Sequence, residues 1–200
     1  MRFGSFPNSA GIFAVAMFVL FPQNAAAISG PTEGRSTATI ITSQPVRAPM
    51  AHIRFCAQNP DQCTRIGEQG IQQRSERQLQ AMLERINRQV NASIVPTPDK
   101  MDRGLQDVWQ VNVAKGDCED YALQKRKMLL TQGWPSERLR IAVVFTREGI
   151  SHAVLVARVG QTDYVLDNLV GELRPWNYTG YSFIKIQSPQ DPKLWLEVGV

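Results

Sequence analysis

Gly116-Asp117-Cys118-Glu119-Asp120-Tyr121-Ala122 opens the segment whose reading decides the fold. Asp117 is an N-cap residue type, and Glu119 and Asp120 fall in the acid-favouring first turn of a helix. Tyr121, Ala122, Leu123, Met128 and Leu129 continue it, and Gln132-Gly133 supplies the stop. Cys118 therefore sits at or beside a helix N-terminus. Downstream of Pro135 the chain turns β-like. Residues 140–146 are a β-branched apolar run and residues 152–159 alternate. Residues 164–169 follow a Gly160-Gln161-Thr162-Asp163 turn, and 183–186 add a further strand. Upstream, Leu79, Met82, Leu83, Ile86 and Val90 recur at three- and four-residue spacing, which predicts a helix over about 68–91. A loop of about fifteen residues (93–107), punctuated by Pro96, Pro98 and Gly104, joins the two helices. Helix, helix, then antiparallel strands is an α+β order, with no internal repeat and no second domain.

The 200 residues, 43% hydrophobic and 20% charged, suit one globular domain and exclude a disordered chain. The net charge of +4 comes without a dense Lys/Arg run or a basic–aromatic stripe, so no nucleic-acid partner is expected. The first 27 residues read as a signal peptide. Arg2 precedes an apolar run from Gly11 to Phe21, too short to span a bilayer, and Ala25-Ala26-Ala27 offers a small-residue cleavage site. The mature chain is then expected outside the cytoplasm, periplasmic or secreted, with no membrane span left after cleavage. Residues 28–50, rich in Ser, Thr, Pro and Gly, read as an extended leader, and 51–200 as the domain.

Three cysteines in an oxidising compartment leave at least one unpaired. Cys56 and Cys63 flank Asn59-Pro60-Asp61, whose turn chemistry brings them together as a disulfide. Cys118 is left over. At a helix N-terminus, unpaired N–H groups and the dipole favour its thiolate and can hold an oxyanion. Only His52 and His152 can serve as base. With a turn centred near Val159-Gly160, antiparallel pairing sets Val154 opposite Val165 and His152 opposite Asp167, within hydrogen-bonding reach. A slip of one residue would bring Asn168 there instead. Asp117, Glu119 and Asp120 crowd the thiol and oppose its ionisation. Capping accounts for one or two of them, and a bound hard cation such as Ca²⁺ accounts better for the cluster.

The string Gly116–Ala122, followed by Ser151-His152-Ala153-Val154-Leu155 and Leu166-Asp167-Asn168, resembles the bacterial transglutaminase-like cysteine proteinases, the family of the LapG-type periplasmic proteases. The Cys56…Cys63 segment and Arg85-Ile86-Asn87-Arg88-Gln89-Val90-Asn91 are similar to it too. The resemblance spans about residues 50–186. It implies a papain/transglutaminase-like fold, helices packed against an antiparallel sheet, and a Cys–His–Asp triad falling on Cys118, His152 and Asp167. It also implies calcium near the nucleophile, with Asp117, Glu119 and Asp120 as metal residues. The protein substrate would be a surface protein such as a large adhesin, and a regulatory inner-membrane receptor sensing cyclic-di-GMP is implied as a partner. Acyl transfer or glutamine deamidation by the same triad is the rival reading, and a non-catalytic calcium-dependent binding module is a second. Trp109 is expected as a core aromatic rather than a cleft residue.

Overall fold

The structure, a computed structural model, describes Met1, Phe3, Gly4 and residues 38–98 and 107–199. All of the expected signal peptide but Met1, Phe3 and Gly4, residues 28–37 of the leader, and residues 99–106 of the loop lie outside the described residues. The chain divides into Met1–Arg35 and Ser36–Val200, and the second unit carries everything that follows.

Among the described residues, nine strands and three α-helices make an α+β fold. They are β1 (Thr42–Val46), α1 (Met50–Gln58), α2 (Glu76–Ser93), β2 (Val95–Pro96), β3 (Lys115–Gly116), α3 (Cys118–Thr131), β4 (Leu139–Phe145), β5 (Ser151–Val159), β6 (Thr162–Leu166), β7 (Arg174–Pro175), β8 (Ser182–Gln187) and β9 (Trp195–Val198). Seven strands form one sheet in the order β1-β9-β8-β4-β5-β6-β7, and every neighbouring pair is antiparallel. The parallel pair β2-β3 stands apart and ties the end of α2 to the start of α3.

The helices form where local chemistry starts and stops them. Ser75 caps α2 by a capping box: Ser75 Oγ accepts from Gln78 N, and the Gln78 side chain accepts from Ser75 N. The helix thus begins at Glu76, eight residues later than the apolar spacing suggested. α3 ends as expected, with Gln132 as C-cap and Gly133 at φ 87°. α1 was not foreseen. Its buried residues Ala51, His52, Phe55 and Cys56 give it one apolar face, in a stretch otherwise read as leader and loop. The 3₁₀ turn Pro60–Cys63 follows, and the Cys56–Cys63 disulfide is formed.

α2 and α3 cover one face of the sheet, where Ile141, Leu155, Ala157 and Leu166 join the helix core. Val144, Val154, Val156 and Val165 point to the other face, under Ile40, Trp176 and Phe183. Both faces of β5 are therefore buried, which explains the unbroken apolar run from Ala153 to Ala157. The N-terminal segment is fastened by an ion cluster: Asp163, fully buried, accepts from Arg140, Arg158 and Ile40 N.

The β5–β6 register corrects one expectation. Val156, not Val154, pairs with Val165, and Val159 pairs with Thr162 across a two-residue turn of Gly160 and Gln161. Gly160 takes φ 55° there, and a Cβ would strike the Glu76 carboxylate. The shift is two residues, so every side chain keeps its face.

Candidate active site

α3 begins at Cys118 and packs on β5. The sulfur lies against the start of β5, where Ala153 N–H donates to Cys118 Sγ at 3.4 Å. Cys118 Sγ in turn donates to Glu119 Oε2 at 3.3 Å. Cys118 is the unpaired cysteine and is half-buried. Burial first, then the Glu119 and Asp117 carboxylates, push its thiol above the ordinary value, and the Ala153 N–H only partly opposes them. Burial and the neighbouring acids thus both work against the thiolate that the helix N-terminus favours.

His152, one residue into β5, donates from Nε2 to Asp167 Oδ1 at 2.8 Å. Because of the two-residue register shift, Asp167 lies just beyond the end of β6 and reaches His152 diagonally rather than from directly opposite. Asn168 does not take that place. Asp167 Oδ1 also accepts from Leu169 N (3.0 Å), and Oδ2 accepts from Tyr181 Oη (2.6 Å). Burial alone would raise the Asp167 carboxyl, but the His152 and Tyr181 hydrogen bonds outweigh it and hold the group below the usual carboxylate range. With Nε2 committed to Asp167, Nδ1 is the ring nitrogen left for proton exchange with Cys118. Cys118, His152, Glu119 and Trp109 line one cleft of about 210 Å³, with Val143 and Lys185.

His52 is excluded as a base by its surroundings. It is buried in α1, accepts from Trp195 Nε1 at 3.2 Å through Nδ1, and touches the disulfide sulfur of Cys56. Burial, then the Arg126 charge, lower it to about 4, so it is neutral and structural. Trp109 is a buried core aromatic as expected, edge-on to His52 and Trp195, but it is a cleft residue as well.

The three acids gather as the sequence suggests. Oxygens of Asp117, Glu119 and Asp120 lie within 4.8 Å of one another. Asp117 is the N-cap residue, yet its side chain makes no capping hydrogen bond, so capping does not account for it. Asp120 Oδ1 accepts from Gln110 N at 2.7 Å. Gly116 is required beside it, because a Cβ there would overlap the Asp120 carboxylate. Glu119 Oε1 is buried with no hydrogen-bond partner among the described residues. Burial, then the Asp117 carboxyl, push Glu119 up to about 10. Carboxyl groups this close ionise together only if positive charge joins them. An all-oxygen set with a buried, unpaired carboxylate oxygen fits a hard divalent cation.

Two residues that the spacing did not single out act on Asp167. Tyr181 packs edge-on against the His152 ring, centroids 5.9 Å apart. Lys125, two turns beyond Cys118, is fully buried with Nζ 5.7 Å from the Tyr121 ring centre. Burial lowers Lys125 to about 7, partly offset by the Asp167 charge. No local pattern marks Tyr181, whereas a lysine among the buried positions of α3 was visible in the sequence.

Residues 42–200 match the family model described as bacterial transglutaminase-like cysteine proteinase. The chain belongs to that family. Its members are cysteine peptidases, so this transglutaminase-like proteinase is a cysteine-type hydrolase acting on protein. Among solved structures it is similar to Legionella pneumophila LapG in a calcium-bound form, at 21% identity. The match covers 77% of this chain and 84% of that one with a TM-score of 0.53. The EGTA-treated form of the same protein matches at 21% identity, 75% and 79% coverage and a TM-score of 0.51. The likeness confirms the fold of this bacterial transglutaminase-like proteinase. No curated protein sequence matches it significantly. Among the described residues no helix is long and apolar enough to cross a membrane.

Proposed function

We propose that the chain is a calcium-dependent cysteine endopeptidase of the periplasm, with Cys118 as nucleophile, His152 as base and Asp167 as the group that orients it. The observation that carries this reading is the 2.8 Å His152–Asp167 pair in the same cleft as a thiol at a helix N-terminus. His152 Nδ1 takes the Cys118 proton, and the sulfur attacks a peptide carbonyl carbon. N–H groups in the first turn of α3 face the oxygen that gains the charge. The C–N bond breaks, the departing amine takes the proton from His152, and a thioester remains on Cys118. His152 then removes a proton from water, the hydroxide adds to the thioester, and the thiol leaves reprotonated. Asp167 stays ionised throughout and keeps the Nε2 proton in place.

Asp117 and Glu119, with Asp120, would hold the calcium ion, whose charge offsets the carboxylates that keep the thiol protonated. The calcium-bound state of the similar Legionella structure supports this reading. Export rests on the signal-like first 27 residues. A large surface adhesin as substrate and a cyclic-di-GMP-sensing inner-membrane receptor as regulator rest on the family resemblance.

Reaction with a peptidyl acyloxymethyl ketone tests the nucleophile. In calcium the reagent should modify Cys118 alone, stoichiometrically, and leave the Cys56–Cys63 pair intact, as read by peptide mass spectrometry. An unlabelled Cys118 in folded, calcium-loaded protein would overturn the assignment.

A further inference from the structure

Tyr181 has no assigned part in this chemistry, yet it is placed with care. It follows Gly180, which turns the chain at φ 74° where a Cβ would strike the Arg147 guanidinium. Thr179 locks the turn: its Oγ1 donates to Trp176 O at 2.7 Å and accepts from Tyr181 N at 3.2 Å. The backbone of Tyr181 is thus fixed just before β8. Its side chain meets two of the site residues at once. The hydroxyl donates to Asp167 Oδ2 at 2.6 Å, and the ring stands at 82° to the His152 imidazole. Asp167 Oδ1 is shared by His152 Nε2 and Leu169 N, and Asn91 Nδ2 holds the Asp167 backbone carbonyl at 2.8 Å.

A carboxylate with only one oxygen engaged can rotate about its last bond and lose its partner. Here the second oxygen is taken by a short hydrogen bond to a charged acceptor, the stronger kind. Burial, then the Asp167 carboxylate itself, raise the Tyr181 phenol further above its ordinary value, so it remains a donor.

We propose that Tyr181 is a positioning residue of the peptidase reaction: its hydroxyl fixes the Asp167 carboxylate so that Oδ1 faces His152, and its ring shields the imidazole from solvent. This rests on the Cys118–His152–Asp167 reading above. Tyr181 touches no reacting atom and acts only through Asp167 and His152. Removing the hydroxyl should therefore slow the chemical step without weakening substrate binding, and should matter only while Asp167 is a carboxylate.

The test is a double-mutant cycle on full-length mature protein in calcium, read by labelling of Cys118 with the peptidyl acyloxymethyl ketone. Tyr181→Phe should lower the maximal labelling rate about tenfold with the reagent's half-saturating concentration unchanged. Tyr181→Leu, which also uncovers the imidazole, should lose more. In an Asp167→Asn background, Tyr181→Phe should cost nothing further. A wild-type rate in Tyr181→Phe, or a loss that repeats in full in the Asp167→Asn background, would overturn the proposal. If Asp167→Asn alone labels at the wild-type rate, the triad reading fails, and the failure is then not Tyr181's own.

Discussion

His152→Ala should lower the rate of peptide hydrolysis about a thousand- to ten-thousand-fold, with little change in KM. A positioned base contributes roughly two to four orders of magnitude, and His152 is the only histidine lining the cleft among the described residues. The loss should be larger here than in a site whose thiol ionises by itself. Burial and the Glu119 and Asp117 carboxylates hold the Cys118 proton on, so a proton acceptor is needed in the transition state. The comparison is steady-state kinetics on one cleaved peptide, with circular dichroism to confirm the fold. His52→Ala supplies the contrast: it should lower the thermal midpoint, since a buried ring edge-on to Trp109 and Trp195 is lost, but leave the surviving folded enzyme active. A folded His152→Ala protein with activity within tenfold of the unmutated enzyme would contradict the assignment.

Chelation of calcium should reduce activity about a hundredfold or more. Each unit by which neighbouring acids raise a thiol costs tenfold in thiolate, and Glu119 and Asp117 both act on Cys118 in that direction. Glu119 makes the effect measurable without any substrate. Its carboxyl is raised from 4.5 to about 10, so it is protonated at neutral pH and must give up that proton to bind a cation. Calcium titrated into chelator-treated protein should release a proton, and its affinity should climb as pH rises towards about 10. Isothermal calorimetry in two buffers of different ionisation enthalpy reads the proton directly. Stability should follow the same sign. The preference of the folded state for neutral Glu119 is fully present below about 4.5 and fades as pH rises through about 10. Calcium-free protein should therefore melt progressively lower across that window, and calcium should restore it. Glu119→Gln should abolish the proton release. Full activity in excess chelator, with no proton released on adding calcium, would contradict the metal reading.

The site was legible in the sequence where chemistry and local structure coincide. Gly116–Ala122 carries its own helix start, so Cys118 lands where expected, and the acids follow it into one cluster. The Cys56–Cys63 pair was readable because a turn lies between them. The His152–Asp167 pair is legible even from a register two residues out, with the turn centred one residue before its true place. It survived because an even shift preserves the face and a diagonal neighbour is still within reach. A shift of one residue would have lost it. The start of α2 is marked by Ser75 and Gln78 and not by its apolar stripe, whose spacing alone points about eight residues upstream. α1, β1 and β9 are short, and their burial depends on the assembled sheet rather than on a local period. Tyr181 lies fourteen positions after Asp167, beyond the short strand β7 and a 3₁₀ turn. Nothing in its neighbours encodes that encounter.

The most direct test is proteolysis of exported and surface proteins from the source organism by purified mature protein in calcium. Cys118→Ala protein serves as the control, and new N-termini are read by mass spectrometry. The account predicts termini that arise with the intact thiol and vanish with Cys118→Ala or with chelator, from one or a few substrates. Termini that persist in the Cys118→Ala protein would contradict it. So would amine incorporation or glutamine deamidation in the same proteins without any cleavage.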